Sequence, residues 1–286
     1  MRTKKAFTLI ELLVVIAIIA LLLGILIPSL RLAKQKAASI VCMTNAKNLS
    51  LAWFMYKEDS GSWIMSAQMD GTEDSGNNVR WIGTPRDING SLLSITQANP
   101  PVTDEDEIRG IEKGRLDSYV KSPDAYTCPA DRVKSKYDGT EKLVTFAVAN
   151  CLYGSPRSSS TYYKKQIRKF DEITSPAMRY VFVETAETRN WTMSGHFVMG
   201  APEYTGNTSG DWAWWGPMAV NHGNSSVLGF CDGHGEVHAW KDAFTKARID
   251  KLIAQNTDLY NQEYPPYGQV EDIAYMAQGW AYRYKP

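Results

Sequence analysis

The chain of 286 residues is long enough to bury a substantial hydrophobic core, in one large domain or two small ones. Apolar residues make up 44% of it and charged residues 22%, which is ordinary for a globular protein. Its 31 basic and 31 acidic side chains give a formal net charge of zero, so the charge gives no support for binding to nucleic acid.

A long apolar stretch lies near the N-terminus. Basic residues precede it at Arg2, Lys4 and Lys5, and residues 12–27 contain no charged side chain. As a helix, residues 7–30 would extend roughly 36 Å, enough to cross a hydrocarbon core of about 30 Å. A secretory signal peptide has a shorter apolar region, of about 7–15 residues, and a small-x-small cleavage site. A membrane anchor whose basic flank stays in the cytoplasm fits better.

Glu11 lies inside this apolar stretch. Insertion scales give a cost of about 2.5–3.5 kcal/mol for such a carboxylate, so it should have a partner, and an isolated anchor helix is expected to offer none. The run Phe-Thr-Leu-Ile-Glu-Leu-Leu at residues 7–13 closely resembles the prepilin leader of type IV pilins and type II secretion pseudopilins. This resemblance covers residues 4–30.

The resemblance implies three things about the N-terminus. A prepilin peptidase at the cytoplasmic face cuts between Ala6 and Phe7 and methylates the new amine. Glu11 then neutralises the Phe7 amine of a neighbouring subunit during assembly, and a buried carboxylate is tolerable when such a positive partner is docked against it. Ala6 departs from the family, which usually has Gly before the cut, and this could slow cleavage.

Helical periodicity continues beyond Pro28. We expect one helix of about 50 residues, with residues 7–30 in the membrane or filament core and residues 31–59 covered by the globular domain. Gly61 is the expected stop, and Ser50 is expected on a polar side of the helix. A membrane anchor followed by a separate soluble helix fits the pattern equally well. The covered face holds Ala38, Cys42, Ala46, Leu49, Trp53 and Tyr56.

The remaining residues, 60–286, are expected to form a β-rich globular domain. Residues 60–103 have a loop composition, residues 104–111 a short acidic helix, and the apolar runs within residues 140–151 and 177–185 are typical of strands. The aromatic residues at 186–221 more often close a core than bind a ligand such as a sugar; they include Trp191, Trp212, Trp214 and Trp215. The sequence thus predicts an α+β, pilin-like fold, a long helix packed on an antiparallel sheet.

A hairpin is predicted around Asp232-Gly233, with strands before and after it, because Asp-Gly between alternating runs is a strong turn signal. A helix capped by Asp242 should follow, to about residue 255. A C-terminal pattern resembles an element of a large prepilin-type subfamily of Planctomycetes and Lentisphaerae. The pattern consists of His222, nine intervening residues and Asp232-Gly233. That subfamily is grouped with pseudopilins, and the resemblance supplies no established reaction.

The histidines near this hairpin have the chemistry of zinc ligands, but their spacing argues against a shared site. A straight strand would put His222 roughly 20–30 Å from Asp232, and His238 opposite Gly229. Structural roles are therefore expected, with Asp232 shaping the turn and His222 holding a loop. We predict no metal site and no cofactor. Calcium is the one candidate ion that the resemblance implies, with ligands drawn from Asp70, Asp74 or Asp211.

Four cysteines, all beyond the apolar stretch, should lie on the oxidising side of the membrane. They allow three pairings. The resembling subfamily shares the positions of Cys42 and Cys128, which implies the disulfides Cys42–Cys128 and Cys151–Cys231. Free buried thiols are the alternative.

The function predicted from these features is structural rather than enzymatic: a pseudopilin subunit of a type II secretion-like periplasmic filament. Its implied partners are other copies or other pseudopilins, prepilin peptidase and an inner-membrane secretion platform. The anchor would cross the cytoplasmic membrane once, with the globular domain in the periplasm or outside the cell. A pilus subunit for adhesion, motility or DNA uptake is the alternative, followed by a membrane-tethered, metal-dependent enzyme.

Maturation is expected to leave N-methylated Phe7 at the N-terminus. Mass-spectrometric sequencing of the protein purified from its native host measures this directly. Intact Met1, or a new terminus near residue 30, would contradict the leader assignment.

Overall fold

The structure is a computed structural model. It describes residues 8–67, 79–93, 102–131, 133, 142–152, 166–186, 195–201, 211–216, 218–255 and 263–281. The predicted cleavage site, Ala6 and Phe7, lies outside these residues, as do Asp70, Asp74 and Trp191.

The first element is one unbroken helix, α1, Leu9–Asp59, of 51 residues. It continues through Pro28, so the predicted single long helix is confirmed and the two-helix alternative is wrong. After α1, Gly61 and Ser62 both adopt positive φ, 66° and 73°. Gly61 therefore forms part of the stop, as expected, since this conformation suits glycine.

The two halves of α1 have different surroundings. Apolar side chains of the first half are exposed, and this is a helix long and apolar enough to cross a membrane. In the second half one face is covered by the globular domain; its buried residues are Cys42, Ala46, Leu49, Ser50, Ala52 and Trp53. Burial of Ser50 corrects its predicted place on a polar side of the helix. The reason is a glycine opposite it in the sheet.

The covered half packs on a five-stranded sheet with strand order β3-β1-β2-β6-β7. The strands are β1 Phe146–Ala149, β2 Tyr180–Glu184, β3 His196–Phe197, β6 Ser225–Phe230 and β7 Gly235–Ala239, while β4 Met199–Gly200 and β5 Ala213–Trp214 form a separate pair. Neighbours are antiparallel except β1 and β3, which are parallel. The α+β prediction is therefore confirmed, with a mixed rather than purely antiparallel sheet. Strands β1 and β2 are buried along their whole length, which explains their continuous apolar sequence.

The predicted hairpin is confirmed as β6 and β7, with Asp232-Gly233 in the turn. Gly229 pairs with Gly235, and His238 pairs with Ser226. The expectation that His238 faces Gly229 is therefore wrong by three positions, because β7 begins directly after a tight turn. His238 instead stacks on Tyr275, with ring centroids 3.6 Å apart.

The described part of the chain contains three further α-helices: α2 Asp104–Glu112, α3 Ala243–Gln255 and α4 Glu271–Gly279. The predicted acidic helix and the helix after the hairpin are thus confirmed. Asp242, expected to cap α3, accepts a hydrogen bond of 2.9 Å from the backbone N–H of Asp272. The Asp272 carboxylate in turn accepts from the N–H groups of Lys241 and Asp242. The two carboxylates therefore join the start of α4 to the segment before α3.

Of the aromatic residues predicted to close the core at 186–221, Trp214 is buried, Trp212 and Trp215 are half-buried and Trp191 lies outside the described residues. Trp53, Trp81 and Trp214 are fully or almost fully buried. The ring of Trp81 meets Phe182 edge-on, with centroids 5.3 Å apart. These side chains belong to packing rather than to a ligand site.

Glycines let α1 approach the hairpin closely. A Cβ added at Gly229 would lie 2.2 Å from Ser50 Oγ and 2.9 Å from the carbonyl oxygen of Ala46. A Cβ at Gly235 would lie 2.9 Å from the carbonyl oxygen of Met43. Backbone therefore packs against backbone along this contact, and side chains in either strand position would push the helix away.

The variant Gly229→Ala is expected to destabilise the globular domain by about 1–3 kcal/mol, because overpacking forces the helix backbone to shift. Denaturant unfolding of the full-length protein in detergent, followed by tryptophan fluorescence, measures the free energy. Gly24→Ala is the control, since a Cβ there meets no atom within 4 Å. Equal unfolding midpoints for Gly229→Ala and the parent protein would contradict this packing.

Candidate functional site

The exposed apolar half of α1 is the first candidate functional surface. Its large hydrophobic residues are exposed from Leu9 to Leu32, with exposures of 45% or more. Such a surface needs a membrane or other subunits to cover it. The acidic residue near its beginning is Glu11, which lies in the first turn of the helix.

Glu11 has a partner within its own helix. Its carboxylate accepts hydrogen bonds from the Thr8 backbone N–H at 2.9 Å and from the Thr8 hydroxyl at 2.7 Å. The Thr8 hydroxyl accepts in return from the Glu11 N–H, which completes a capping box. The expectation that an isolated helix offers this carboxylate no partner is therefore wrong. The helix N-terminus also favours the negative charge, because the unpaired N–H groups carry partial positive charge.

A second candidate site lies inside the globular domain, where four side chains meet: Cys42, Cys128, Glu184 and His222. Their ligand-type atoms all lie within 4.8 Å of one another. The two sulfurs, one carboxylate oxygen and one imidazole nitrogen come from four separate parts of the chain, so only the tertiary structure assembles them.

Each side chain of this cluster is positioned by its own element. Cys42 lies on the covered face of α1, and Glu184 ends β2. Cys128 follows a 3₁₀ turn, Pro123–Tyr126, that α1 holds through Asn45, whose side-chain amide donates to two carbonyls around that turn. His222 belongs to the turn that leads into β6.

The contacts within the cluster are close. His222 Nε2 lies 3.3 Å from Cys128 Sγ and 3.4 Å from Glu184 Oε1. Cys42 Sγ lies 3.7 Å from the same Glu184 oxygen. The His222 side chain is 2% exposed and that of Glu184 is fully buried.

Glu184 is oriented by two further hydrogen bonds. The Asn221 side-chain amide donates to Oε1 at 2.8 Å, and the Val227 backbone N–H donates to Oε2 at 3.0 Å. His222 Nδ1 is buried and has no hydrogen-bond partner among the described residues. The described polar contacts of the His222 ring are therefore made by Nε2, which faces the cluster.

The electrostatics of the cluster favour positive charge. Burial of His222 works to lower its pKa, but hydrogen bonds to Cys128 and Glu184 and the charge of Glu184 raise the pKa to about 10. Burial of Glu184 works to raise the pKa of its carboxyl, yet the hydrogen bond and charge of His222 hold that pKa below its ordinary value. A cation placed among these groups is stabilised by anionic or electron-rich atoms.

All four cysteines are free thiols in the structure, which differs from the two predicted disulfides. Cys42 and Cys128 are nevertheless neighbours, as members of the cluster. Cys151 and Cys231 are also buried. Burial raises the pKa of the Cys231 thiol, and the charge of Cys151 raises it further. Cys42 and Cys128 are therefore close in space without a bond between their sulfurs, and Cys151 and Cys231 are free, buried thiols.

The other residues singled out in the sequence do not join this cluster. Asp232 shapes the hairpin turn, because its carboxylate accepts from the His234 backbone N–H at 3.2 Å. Gly233 has φ of 95°, and a Cβ there would lie 2.6 Å from a methyl carbon of Leu51. Asp211, a proposed calcium ligand, lies exposed just before β5.

Glu184 was missed in the sequence. The available signal was an acidic residue at the end of the apolar run Tyr-Val-Phe-Val-Glu, where a charge inside the sheet needs a partner. His222 is predicted to hold a loop, but its spacing from the hairpin histidines gives no sign of its contact with Cys128.

Two comparisons with known proteins found a match. A family model described as the prokaryotic N-terminal methylation motif matches residues 1–27. The chain is also 44% identical over 63 residues to a Thermus thermophilus protein described as "Type IV wide pilus major component PilA4". That alignment covers 22% of this chain and 48% of the relative, so the chain spans about half the length of the relative it matches. No solved structure matches the chain.

The motif match and the relative agree with the long apolar helix that begins the structure. This helix is long and apolar enough to cross a membrane. Residues 1–27 therefore match the prokaryotic N-terminal methylation motif, and the chain is similar over 63 residues to a type IV pilus component.

Proposed function

We propose that the protein is a structural filament subunit whose α1 crosses the membrane before assembly and forms the filament core afterwards. The observation that carries this proposal is the exposed apolar half of α1, with Glu11 near its beginning. Between Leu9 and Leu32 this surface would be covered by lipid first and by neighbouring helices later. The transfer of α1 from lipid into a helix bundle would be driven by close side-chain packing and not by the hydrophobic effect, because both environments are apolar.

Glu11 would change partners during that transfer. In the single chain its carboxylate accepts from Thr8, which keeps it satisfied before assembly. In the filament it would also meet the N-terminal amine of a neighbour, an opposite charge in a dry environment. Such a pair lowers the cost of burying both charges and fixes the axial position of one helix against the next.

The finer assignment is a pseudopilin of a type II secretion-like periplasmic filament. It rests on the resemblance of His222, Asp232 and Gly233 to the prepilin-type subfamily grouped with pseudopilins. The implied partners are other copies or other pseudopilins, prepilin peptidase and an inner-membrane secretion platform. The globular domain would lie in the periplasm or outside the cell.

A pilus subunit is the second candidate. The observation that favours it is the Thermus relative, which is described as a pilus component. Its alignment covers 22% of this chain and 48% of the relative, and α1 would do the same work in either filament.

A structural role is proposed over an enzymatic one because the cluster of chemically active side chains is closed. Cys42, Cys128 and Glu184 are each at most 1% exposed, and the His222 side chain is 2% exposed. A neighbouring cavity of about 490 Å³ is lined by residues beside the cluster, including Ala38, Pro129 and Asn221, but by none of its four members. A substrate in that cavity would not touch the cluster.

Glu11→Ala is expected to insert into the membrane and to be processed, because removing a charge makes insertion easier. Filament assembly should fall at least about tenfold, since the neighbouring amine loses a partner whose removal from a buried pair costs about 3–5 kcal/mol. Sheared-filament yield and membrane-bound subunit, both quantified by immunoblot, measure the two steps.

Thr8→Ala is the matched control for this variant. It removes the same intrahelical capping box but leaves the carboxylate available to a neighbour. Filaments at parental level from Thr8→Ala and not from Glu11→Ala assign the defect to the intersubunit pair. Normal filaments from Glu11→Ala would contradict the pairing role.

Deletion of the gene separates the two kinds of filament. A pseudopilin deletion should leave exoproteins in the periplasm while surface fibres, twitching and DNA uptake stay at parental level. Loss of surface fibres with a normal exoprotein profile would instead support the pilus subunit. Complementation with the intact gene controls for effects on neighbouring genes.

A further inference from the structure

The cluster of Cys42, Cys128, Glu184 and His222 has the composition of a transition-metal site. Two thiol groups, an imidazole and a carboxylate are the ligand types that proteins use for zinc. Each residue directs one ligand atom inward, which gives the four donors of a structural zinc site. Hard cations such as calcium and magnesium prefer oxygen ligands alone, so the two sulfurs argue against them.

The distances fit a tetrahedron around one ion. Zinc bonds of about 2.3 Å to sulfur and about 2.0–2.2 Å to nitrogen or oxygen give tetrahedral edges of about 3.3–3.8 Å. The observed edges are 3.3 Å from sulfur to nitrogen, 3.4 Å from nitrogen to oxygen and 3.7 Å from sulfur to oxygen. Both sulfurs lie within 4.8 Å of each other. Little movement would therefore be needed to coordinate the ion.

Charge and burial point the same way. Glu184 brings a fully buried carboxylate into the cluster, and a buried negative charge needs a positive partner. A divalent ion would provide that charge and hold the two thiols as thiolates. Asn221 and Val227 anchor the carboxylate from outside the cluster, as outer hydrogen bonds do around metal ligands.

We propose that Cys42, Cys128, Glu184 and His222 bind one zinc ion in a closed structural site. The ion joins α1, the segment after the Pro123–Tyr126 turn, the end of β2 and the turn before β6. It thereby locks the covered half of the filament helix to the globular domain. This replaces the predicted Cys42–Cys128 disulfide with a metal link at the same place, and it is independent of which filament the protein builds.

Metal analysis of the full-length protein tests the proposal. The protein is purified in detergent from cells grown with zinc, without chelator or reductant, and metal per chain is measured by mass spectrometry. We expect about one zinc ion per chain, the stoichiometry of a four-ligand site. X-ray absorption at the zinc edge should show two sulfur neighbours at about 2.3 Å and two lighter neighbours at about 2.0–2.2 Å.

Matched variants assign the ligands. Cys128→Ser and His222→Gln should reduce bound zinc at least about tenfold, the usual scale on which even outer partners of a metal site act. Cys231→Ser and His234→Gln are the controls, because Cys231 is buried elsewhere and His234 lies in the hairpin turn; both should keep the ion. If a ligand variant fails to fold, the absorption spectrum of the parent protein still decides between sulfur-bound zinc and none.

The opposite results are equally clear. Parent protein with less than about a tenth of an ion per chain, after the same exposure to zinc, would overturn the proposal. So would peptide mapping that finds Cys42 and Cys128 joined by a disulfide in the native protein, because a disulfide leaves no thiolate to bind metal. Zinc retained by Cys128→Ser and His222→Gln alike would place the ion elsewhere and also overturn it.

Discussion

The contact between α1 and the β6–β7 hairpin determines most of this architecture. At Gly229 and Gly235 the strand backbone meets the helix without an intervening side chain, so the helix lies in one position on the sheet. That position buries Ser50 as well as the apolar face around Leu49 and Trp53. It also places Cys42, one helical turn before Ala46, beside the end of β2, where Glu184 and the turn carrying His222 meet it.

The same helix has to satisfy two opposite demands. Its first half is apolar and exposed, whereas its second half is part of a folded core. Packing at glycines and the polar cluster anchor only the second half. The first half of α1 is therefore a continuous helical extension of the globular domain, held by unbroken backbone hydrogen bonds.

The two acidic residues that the apolar segments contain illustrate how buried charge is handled. Glu11 is satisfied within its own helix start by Thr8, a local contact three residues away. Glu184 is satisfied by Asn221, His222 and Val227, some 37 to 43 residues away along the chain. The partner of Glu11 is local and leaves its carboxylate exposed on the helix. The partners of Glu184 are distant along the chain and enclose its carboxylate within the core.

The sequence alone determined the N-terminal motif, the single long helix, the acidic helix, the hairpin and the α+β class. These features depend on short-range patterns: helical periodicity, the Asp-Gly turn and the run containing Glu11. It did not determine the parallel pairing of β1 with β3 or the burial of Ser50, because both depend on contacts between distant segments. It also did not determine the pairing of His238 with Ser226, because the tight turn sets the register of the hairpin. Two members of the cluster, Cys42 and Cys128, were placed together by resemblance, and His222 was noticed separately. Only the tertiary structure joined them to Glu184, because no sequence spacing records how four separate segments converge on one point.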